Sequence, residues 1–151
     1  MKKVVPNIFL QEAARLLKDG KPVRLLIDGQ SMFPFIRGGK DQVEIVPYDG
    51  VSFLPLWSAV FFCWEGQYMI HRYVGTKDGK LLMMGDGNLV RIEVVEPTAV
   101  YGILSTIYHS DGSSQDCSDK TWLNRGKRWY RLRSIRRFLI PLLRRIIHIT
   151  P

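Results

Sequence analysis

The sequence predicts a mainly β protein: a coiled antiparallel sheet with a helix before it and a helical segment after it. Between residues 21 and 109, short apolar or alternating runs are separated by glycine, proline and aspartate turns, a spacing typical of strands in an all-β domain. At both ends of the chain the apolar residues recur every three or four positions, which is the period of a helix. The chain has 151 residues, 46% of them apolar, so it can bury one core without disulfides or metals.

Residues 1–20 predict an N-terminal amphipathic helix. Asn7 is a residue type that caps a helix start, and Gly20 is the type that commonly ends one. We expect this helix to cover one edge of the core.

Residues 21–109 predict the β domain. Six runs have strand character, and turn residues such as Asp49-Gly50 and Asp78-Gly79 separate them. The six runs are 23–27, 43–46, 59–64, 68–74, 81–84 and 100–108.

Residues 110–119 predict a polar linker, and residues 120–151 a basic amphipathic helical tail in which Pro141 should kink or split the helix. The net charge of +8 resides in this tail, because 121–151 holds nine of the 22 basic residues and none of the 14 acidic ones. Such a helix is typical of an anionic membrane surface. A helix docked on the body or on a partner protein is the alternative. Nucleic acid is not expected, because the aromatic residues are not interleaved through a base-stacking surface.

The two cysteines indicate a reducing compartment. Cys63 lies in an apolar run and Cys117 in a polar loop, so we do not expect them to pair, and they are too few to form a metal site. Charged residues interrupt the apolar residues near the N-terminus, so no signal-peptide core forms there. The longest apolar run, 51–64, is too short to span a membrane.

Ser31 is the first candidate for chemistry. It lies in the hexapeptide Gly29-Gln30-Ser31-Met32-Phe33-Pro34, directly after an apolar strand, where a glycine permits close backbone approach and a proline stiffens the exit. A serine in such a turn is commonly a hydrogen-bonded turn former. To act as a nucleophile it needs a base that takes its proton.

His71 is the best candidate for that base. It lies in the strand of residues 68–74, where an imidazole can be half buried and held at a fixed angle, although a structural role is common for such a histidine. His109 and His148 lie in a polar turn and near the chain end, and both are most simply surface residues.

Asp86 is a candidate partner for His71. The segment Met84-Gly85-Asp86-Gly87-Asn88 runs from a strand into a turn that presents one carboxylate. A carboxylate beside an imidazole fixes its tautomer and stabilises the imidazolium. An Asx turn, in which Asp86 bonds its own backbone, is the alternative.

These three segments, in this order, resemble the motifs of the type I signal peptidases and the related LexA-type self-cleaving repressors. The resemblance covers about residues 22–108 and implies the coiled β fold of that superfamily. It also implies that Ser31 is the acylated nucleophile. His71-Arg72 is similar to the endoplasmic-reticulum type, in which histidine is the base. Asp86 matches the family's glycine-aspartate motif and Glu93 is the nearest match to a further acid, so which of the two orients His71 stays open.

The resemblance implies a serine endopeptidase that cleaves a leader or signal-type peptide bound as an extended strand. Gly29, Met32, Phe33 and Pro34 are then expected to contribute to substrate binding, and Phe35 and Trp57 to line the same groove. A serine–histidine mechanism needs no cofactor and no metal. Because no membrane anchor is predicted, we expect a cytoplasmic protein that lies peripherally on the inner face of the membrane. A non-catalytic peptide-binding or scaffolding relative with the same fold is the alternative.

Overall fold

The protein folds as one strongly curled antiparallel sheet, a half-barrel, with a helix before it and helices after it. The computed structural model of the chain describes residues 7–149, except for the side chains of Asn7, His148 and Ile149. Strands account for 34% of the residues and helices for 29%. The prediction of a mainly β protein with a coiled antiparallel sheet and terminal helices is confirmed.

The elements follow one another as a helix, a run of eight strands and two helices. The helices are α1 (Asn7–Lys18), α2 (Lys120–Arg131) and α3 (Arg136–Ile149), with 3-10 turns at Pro97–Ala99 and Arg133–Ile135. The strands are β1 (Val23–Leu26), β2 (Gln42–Pro47), β3 (Ala59–Trp64), β4 (Gln67–Lys77), β5 (Lys80–Met84), β6 (Glu93–Val95), β7 (Val100–Tyr108) and β8 (Ser114–Asp116). The order in the sheet is β1-β2-β7-β3-β4-β5-β6, and β8 pairs with β7.

All six predicted strands are present, as β1 to β5 and β7. The sequence did not predict β6 or β8, each of which is three residues long. Strands this short carry little periodicity, and they form because a neighbouring strand offers free backbone groups. Strand β8 lies within the segment 110–119 that was predicted as a linker.

The buried residues of the sheet form two apolar clusters on opposite sides of β3. In this central strand Phe61 contributes to the main core with α1 and α2, whereas Val60 and Phe62 contribute to a second core with β4, β5 and β7. Successive side chains of a strand point to opposite faces, so β3 is apolar throughout because both of its faces are covered. Both cysteines are free, and burial raises the pKa of the Cys117 thiol to about 12.

Helix α1 packs its apolar face on the main core, as the sequence predicts. Ala13, Ala14 and Leu17 are buried there. The chain leaves the helix through Gly20 in the left-handed conformation, at φ +80°. Asn7 is the first helical residue, and its predicted cap lies outside the described side chains.

The C-terminal segment is helical, but its break lies at Arg133–Ile135 and not at Pro141. Helix α3 continues through Pro141. A proline in the second turn of a helix removes one intrahelical hydrogen bond, and this solvent-exposed position tolerates that loss.

The predicted tail begins inside the core. Trp122 of α2 is part of the main core, and its ring lies 4.5 Å from the guanidinium carbon of Arg72. Gly126, one turn further along α2, lies so close to Arg72 that a β-carbon there would be 2.1 Å from Nη1. Helix α2 therefore closes over a strand residue, and residues 120–131 are part of the packed body.

We expect Gly126→Ala to lower the free energy of unfolding by at least about 2 kcal/mol, because the added methyl group displaces the buried Arg72 guanidinium. Urea unfolding measures the change. The control is Gly75→Ala, where the nearest atom to the new methyl is 3.9 Å away and the effect should be less than about 1 kcal/mol. Equal losses in the two variants would contradict the packing of α2 on Arg72.

Candidate active site

Ser31 lies at the start of a compact turn that follows β1. The turn is held by backbone hydrogen bonds from the N–H of Phe33 to the carbonyl of Gln30 (3.1 Å) and from the N–H groups of Phe35 and Ile36 to the carbonyl of Met32 (both 3.0 Å). Ser31 itself is exposed. Within residues 7–149, neither its hydroxyl nor its backbone N–H takes part in a hydrogen bond. Ser31 is therefore presented to solvent by a rigid backbone and is not a hydrogen-bonded turn former.

The turn of residues 85–88 is fastened to Ser31. The backbone N–H of Gly87 donates to the carbonyl of Ser31 at 2.8 Å, and the N–H of Asn88 closes the turn on Gly85 at 3.0 Å. A β-carbon at Gly85 would lie 2.6 Å from the Ser31 carbonyl oxygen and 3.0 Å from Nε2 of His71. Only glycine fits there, and the close approach brings all three sequence motifs together.

His71 is almost fully buried, with 4% of its surface exposed, and its two ring nitrogens have different surroundings. Nδ1 lies 2.7 Å from Oε1 of Glu93, without the alignment that a hydrogen bond requires. Nε2 faces the turn that carries Gly85 and the Ser31 carbonyl. The ring also packs edge-on against Phe62, with centroids 5.8 Å apart. These contacts fix the imidazole with Nε2 toward the serine turn.

Glu93 supplies the carboxylate beside His71. It is the first residue of β6 and has no exposed surface. Its Oε1 also lies 3.6 Å from Nε of Arg91, and its Oε2 has no hydrogen-bond partner among the described residues. An unpaired carboxylate without solvent is costly, so Glu93 depends on the imidazole and on Arg91.

The structure corrects the sequence-based role of Asp86. Its two oxygens accept hydrogen bonds from Nε (2.8 Å) and Nη2 (2.6 Å) of Arg72, and both side chains are buried. His71 and Arg72 are adjacent in β4 and therefore point to opposite faces of the sheet. Asp86 meets the arginine face and Glu93 meets the histidine face. The acid that contacts His71 is Glu93, the second of the two that the sequence left open.

Helices α2 and α3 hold the 85–88 turn from outside, and these contacts are not among the predictions from the sequence. The indole N–H of Trp129 donates to the carbonyl of Asp86 at 2.7 Å. The buried guanidinium of Arg136 donates to the carbonyls of Asn88 (3.0 Å) and Gly85 (3.4 Å), and burial lowers its pKa. One signal was available in the sequence. Arg136 shares a helical face with apolar residues, where a cation needs buried acceptors.

A cavity of about 240 Å³ opens beside Ser31. Of the four residues predicted to bind substrate, only Met32 lines it. Gly29 forms the left-handed entrance of the turn at φ +80°, and Pro34 follows a cis peptide bond. Phe33 packs instead with Trp129, away from this cavity. The other lining residues are Leu10, Leu25, Leu26, Ile27, Asp28, Ile36, Phe61, Tyr68, Met69 and Ile70.

Two further residues of the predicted groove also lie elsewhere. Phe35 makes edge contacts with the rings of Trp122 and Trp129, with centroids 6.5 and 6.4 Å apart. Trp57 packs on Tyr130 of α2 at 5.2 Å, and its carbonyl accepts from Nη1 of Arg72 at 2.7 Å. The C-terminal helices cover that side of the serine turn. Both aromatic side chains therefore pack on α2 and stabilise its attachment.

Unpaired strand edges flank the cavity. Strand β1 pairs only with β2 among the described strands. Strand β5 pairs with β4 only from Arg72 onward, so residues 67–71 of β4 keep one free edge within the described part of the chain. Free backbone groups on an edge strand can receive an extended peptide as a further strand.

His109 is not the simple surface residue that the sequence predicts. Its Nδ1 lies 3.2 Å from Oδ2 of the buried Asp41, and the same oxygen accepts the backbone N–H of Arg37 at 2.7 Å. This pair closes the end of the serine loop against β7. The side chain of His148 is not among those that the structure describes.

Within residues 7–149, no group of three or more histidine, cysteine, aspartate or glutamate side chains could hold a metal ion. In the same part of the chain, no helix has both the length and the apolar character needed to cross a bilayer. Comparison with known proteins found no family model and no curated protein that matches the chain.

We expect Asp86→Asn to lower the free energy of unfolding by about 3–5 kcal/mol, because the buried Arg72 guanidinium loses its charged partner. Chemical denaturation measures the loss. The control is Glu96→Gln, which removes an exposed carboxylate 3.4 Å from Lys80 and should change stability by no more than about 0.5 kcal/mol. An Asp86→Asn protein as stable as this control would contradict a structural role for the Arg72–Asp86 pair.

Proposed function

We propose that the protein is a serine endopeptidase in which Ser31 is the nucleophile, His71 the general base and Glu93 the acid that orients the base. The observation that carries the proposal is the position of the imidazole. A buried carboxylate lies 2.7 Å from its Nδ1, and its Nε2 lies beside Gly85, which packs against the carbonyl of the exposed Ser31. A nucleophile, a base and an acid that orients the base, arranged in this spatial order, are the elements of a serine–histidine–acid triad.

The first chemical step forms an acyl-enzyme. Ser31 Oγ attacks the carbonyl carbon of the scissile peptide bond while its proton passes to Nε2 of His71. The imidazolium then gives this proton to the leaving amine as the carbon–nitrogen bond breaks. In the second step a water molecule attacks the ester carbonyl, its proton passes through His71 to Ser31 Oγ, and the new carboxylate leaves. The Glu93 carboxylate stabilises the imidazolium in both steps.

The backbone N–H of Ser31 supports the same chemistry. It is free of partners within residues 7–149 and belongs to the residue that carries the nucleophile. A free backbone N–H beside the attacking oxygen can donate to the oxyanion that develops on the carbonyl oxygen. The anchoring of the Ser31 carbonyl by Gly87 favours this, because it fixes the peptide plane around the serine.

The cavity and the strand edges favour a peptide bound as an extended strand. Main-chain hydrogen bonds to a free edge give affinity without sequence preference, and the cavity beside Ser31 selects a side chain. Its lining is mostly apolar, with Asp28 and Ser31 the exceptions, so an apolar side chain fits best. The likeness of the three sequence motifs to those of signal peptidases makes leader and signal-type peptides the first substrate class to test.

We expect Ser31→Ala to abolish cleavage and to retain peptide binding, because the substitution removes only the nucleophilic oxygen from an exposed residue. Wild-type protein and variant are incubated with leader-type peptides and a mixed-sequence peptide library, and mass spectrometry identifies the products. The matched control is Ser110→Ala, an exposed serine outside the site, which should cleave like the wild type. Equal products from Ser31→Ala and the wild type would contradict the proposal. Peptide binding without products from the wild-type protein would leave the non-catalytic peptide-binding role instead.

We expect Glu93→Gln to lower kcat by about 10²–10⁴-fold with little change in KM, because the imidazolium loses its counter-charge while the peptide-binding edges remain. Steady-state kinetics on a cleaved peptide separate the two constants, and circular dichroism checks the fold. A Glu93→Gln protein with wild-type kcat would remove Glu93 from the mechanism.

A further inference from the structure

Helix α3 has apolar residues on two sides, and only one side packs on the body. The inner side contributes Ile140, Leu143 and Ile147 to a cluster with Phe33 and Trp129. Phe138 and Leu142 lie on the outer side, where 65% and 55% of their surfaces are exposed. A helix that needed only to dock on its own body would be polar on this outer side.

A second exposed apolar group lies next to this outer side. Leu89, Val90 and Ile92 follow the 85–88 turn, and Val90 is 88% exposed. These three residues line a groove of about 450 Å³ together with Met84 and three residues of the C-terminal segment, Arg133, Ser134 and Arg137. Arg137 joins the two apolar groups into one surface, because it lines this groove and its guanidinium carbon lies 4.9 Å from the ring centre of Phe138. We call it the outer α3 surface, and it consists of residues 89, 90, 92, 133, 134, 137, 138 and 142.

The charges of the outer α3 surface have one sign. Its ionisable residues are Arg133 and Arg137, and the Arg137 guanidinium carbon lies 4.9 Å from the ring centre of Phe138. Arg131, Arg144 and Arg145 are exposed nearby in sequence, and residues 120–149 contain no acidic residue. Protruding apolar side chains bordered by arginines suit a surface with anionic groups above an apolar layer. An apolar protein pocket would satisfy the aromatic side chain but leave the arginines without counter-charges.

We propose that the outer α3 surface is a docking site for an anionic lipid bilayer. The arginines bind headgroup phosphates, and Phe138, Leu142 and Val90 enter the boundary between headgroups and acyl chains. The surface includes the segment between the 85–88 turn and Glu93, so a docked molecule holds its His71 site close to the membrane. The proposal goes beyond the peptidase function and does not rest on it.

The test uses the full chain and two kinds of vesicle. One kind contains phosphatidylcholine alone, and the other contains phosphatidylcholine and phosphatidylglycerol in equal amounts. We expect cosedimentation with the anionic vesicles at least ~10-fold stronger than with the neutral ones, because several arginines each add attraction to an anionic leaflet. Binding should weaken steeply as salt is added. Ser31→Ala should bind like the wild type, which separates this proposal from the peptidase function.

Three variants locate the surface. Phe138→Ser with Leu142→Ser, and separately Arg133→Gln with Arg137→Gln, should each weaken binding by roughly 10-fold or more while circular dichroism stays unchanged, since all four side chains are exposed. The matched control is Val51→Ser with Phe53→Ser. These residues are 88% and 87% exposed but line a different cavity, beside α1 and β7, so binding should not change.

Three outcomes would overturn the proposal. The first is that the full chain does not cosediment with anionic vesicles at low salt. The second is equal binding to neutral and anionic vesicles. The third is an equal loss in the control pair, which would assign the binding to general hydrophobicity. Self-association that the Phe138 and Leu142 substitutions abolish, with no vesicle binding by the wild type, would assign the surface to a second copy of the chain.

Discussion

The buried ion pair between Arg72 and Asp86 is the interaction on which the rest of the structure depends. Arg72 reaches two oxygens of Asp86, the carbonyl of Trp57 and the ring of Trp122, so one guanidinium joins β4, two loops and α2. A guanidinium without solvent must have nearly all its donors satisfied, because an unpaired buried charge costs several kcal/mol. The fold meets this requirement with the carboxylate of Asp86 and the carbonyl of Trp57, and α2 closes over Arg72 at Gly126, where only glycine leaves enough room.

This pair also determines the geometry of the candidate active site. Asp86 is held by Arg72 through its carboxylate and by Trp129 through its carbonyl, so the 85–88 turn cannot move independently of the sheet. The same turn fastens the carbonyl of Ser31 through Gly87. The position of the serine relative to His71 therefore depends on contacts made on the other face of β4. Asp86 positions the site without touching the imidazole, and Glu93 touches it.

The C-terminal helices combine a structural role with an exposed surface. Trp122, Trp129 and Arg136 are buried and hold the serine turn and the 85–88 turn against the body. The cations that the sequence places in this segment therefore differ in what they do. Arg136 is buried and donates hydrogen bonds to backbone carbonyls, whereas Arg133 and Arg137 lie at the surface beside exposed apolar side chains. A helix with this distribution stabilises the site on one side and offers a charged apolar surface on the other.

The sequence by itself determined six of the eight strands, both terminal helical regions and the three segments that converge. Apolar runs such as 59–64 and turn residues such as Gly85 express local preferences that each segment satisfies alone. Tertiary structure alone decided which acid meets His71. Asp86 and Glu93 both follow β5 closely in the sequence, and they differ in the face of β4 that they contact: Glu93 meets His71, and Asp86 meets Arg72. Tertiary structure also decided that α2 closes the core and that β6 and β8 form. Buried charge pairs, helix docking and short edge strands depend on partners distant in sequence, and no local pattern records which partner is nearest in space.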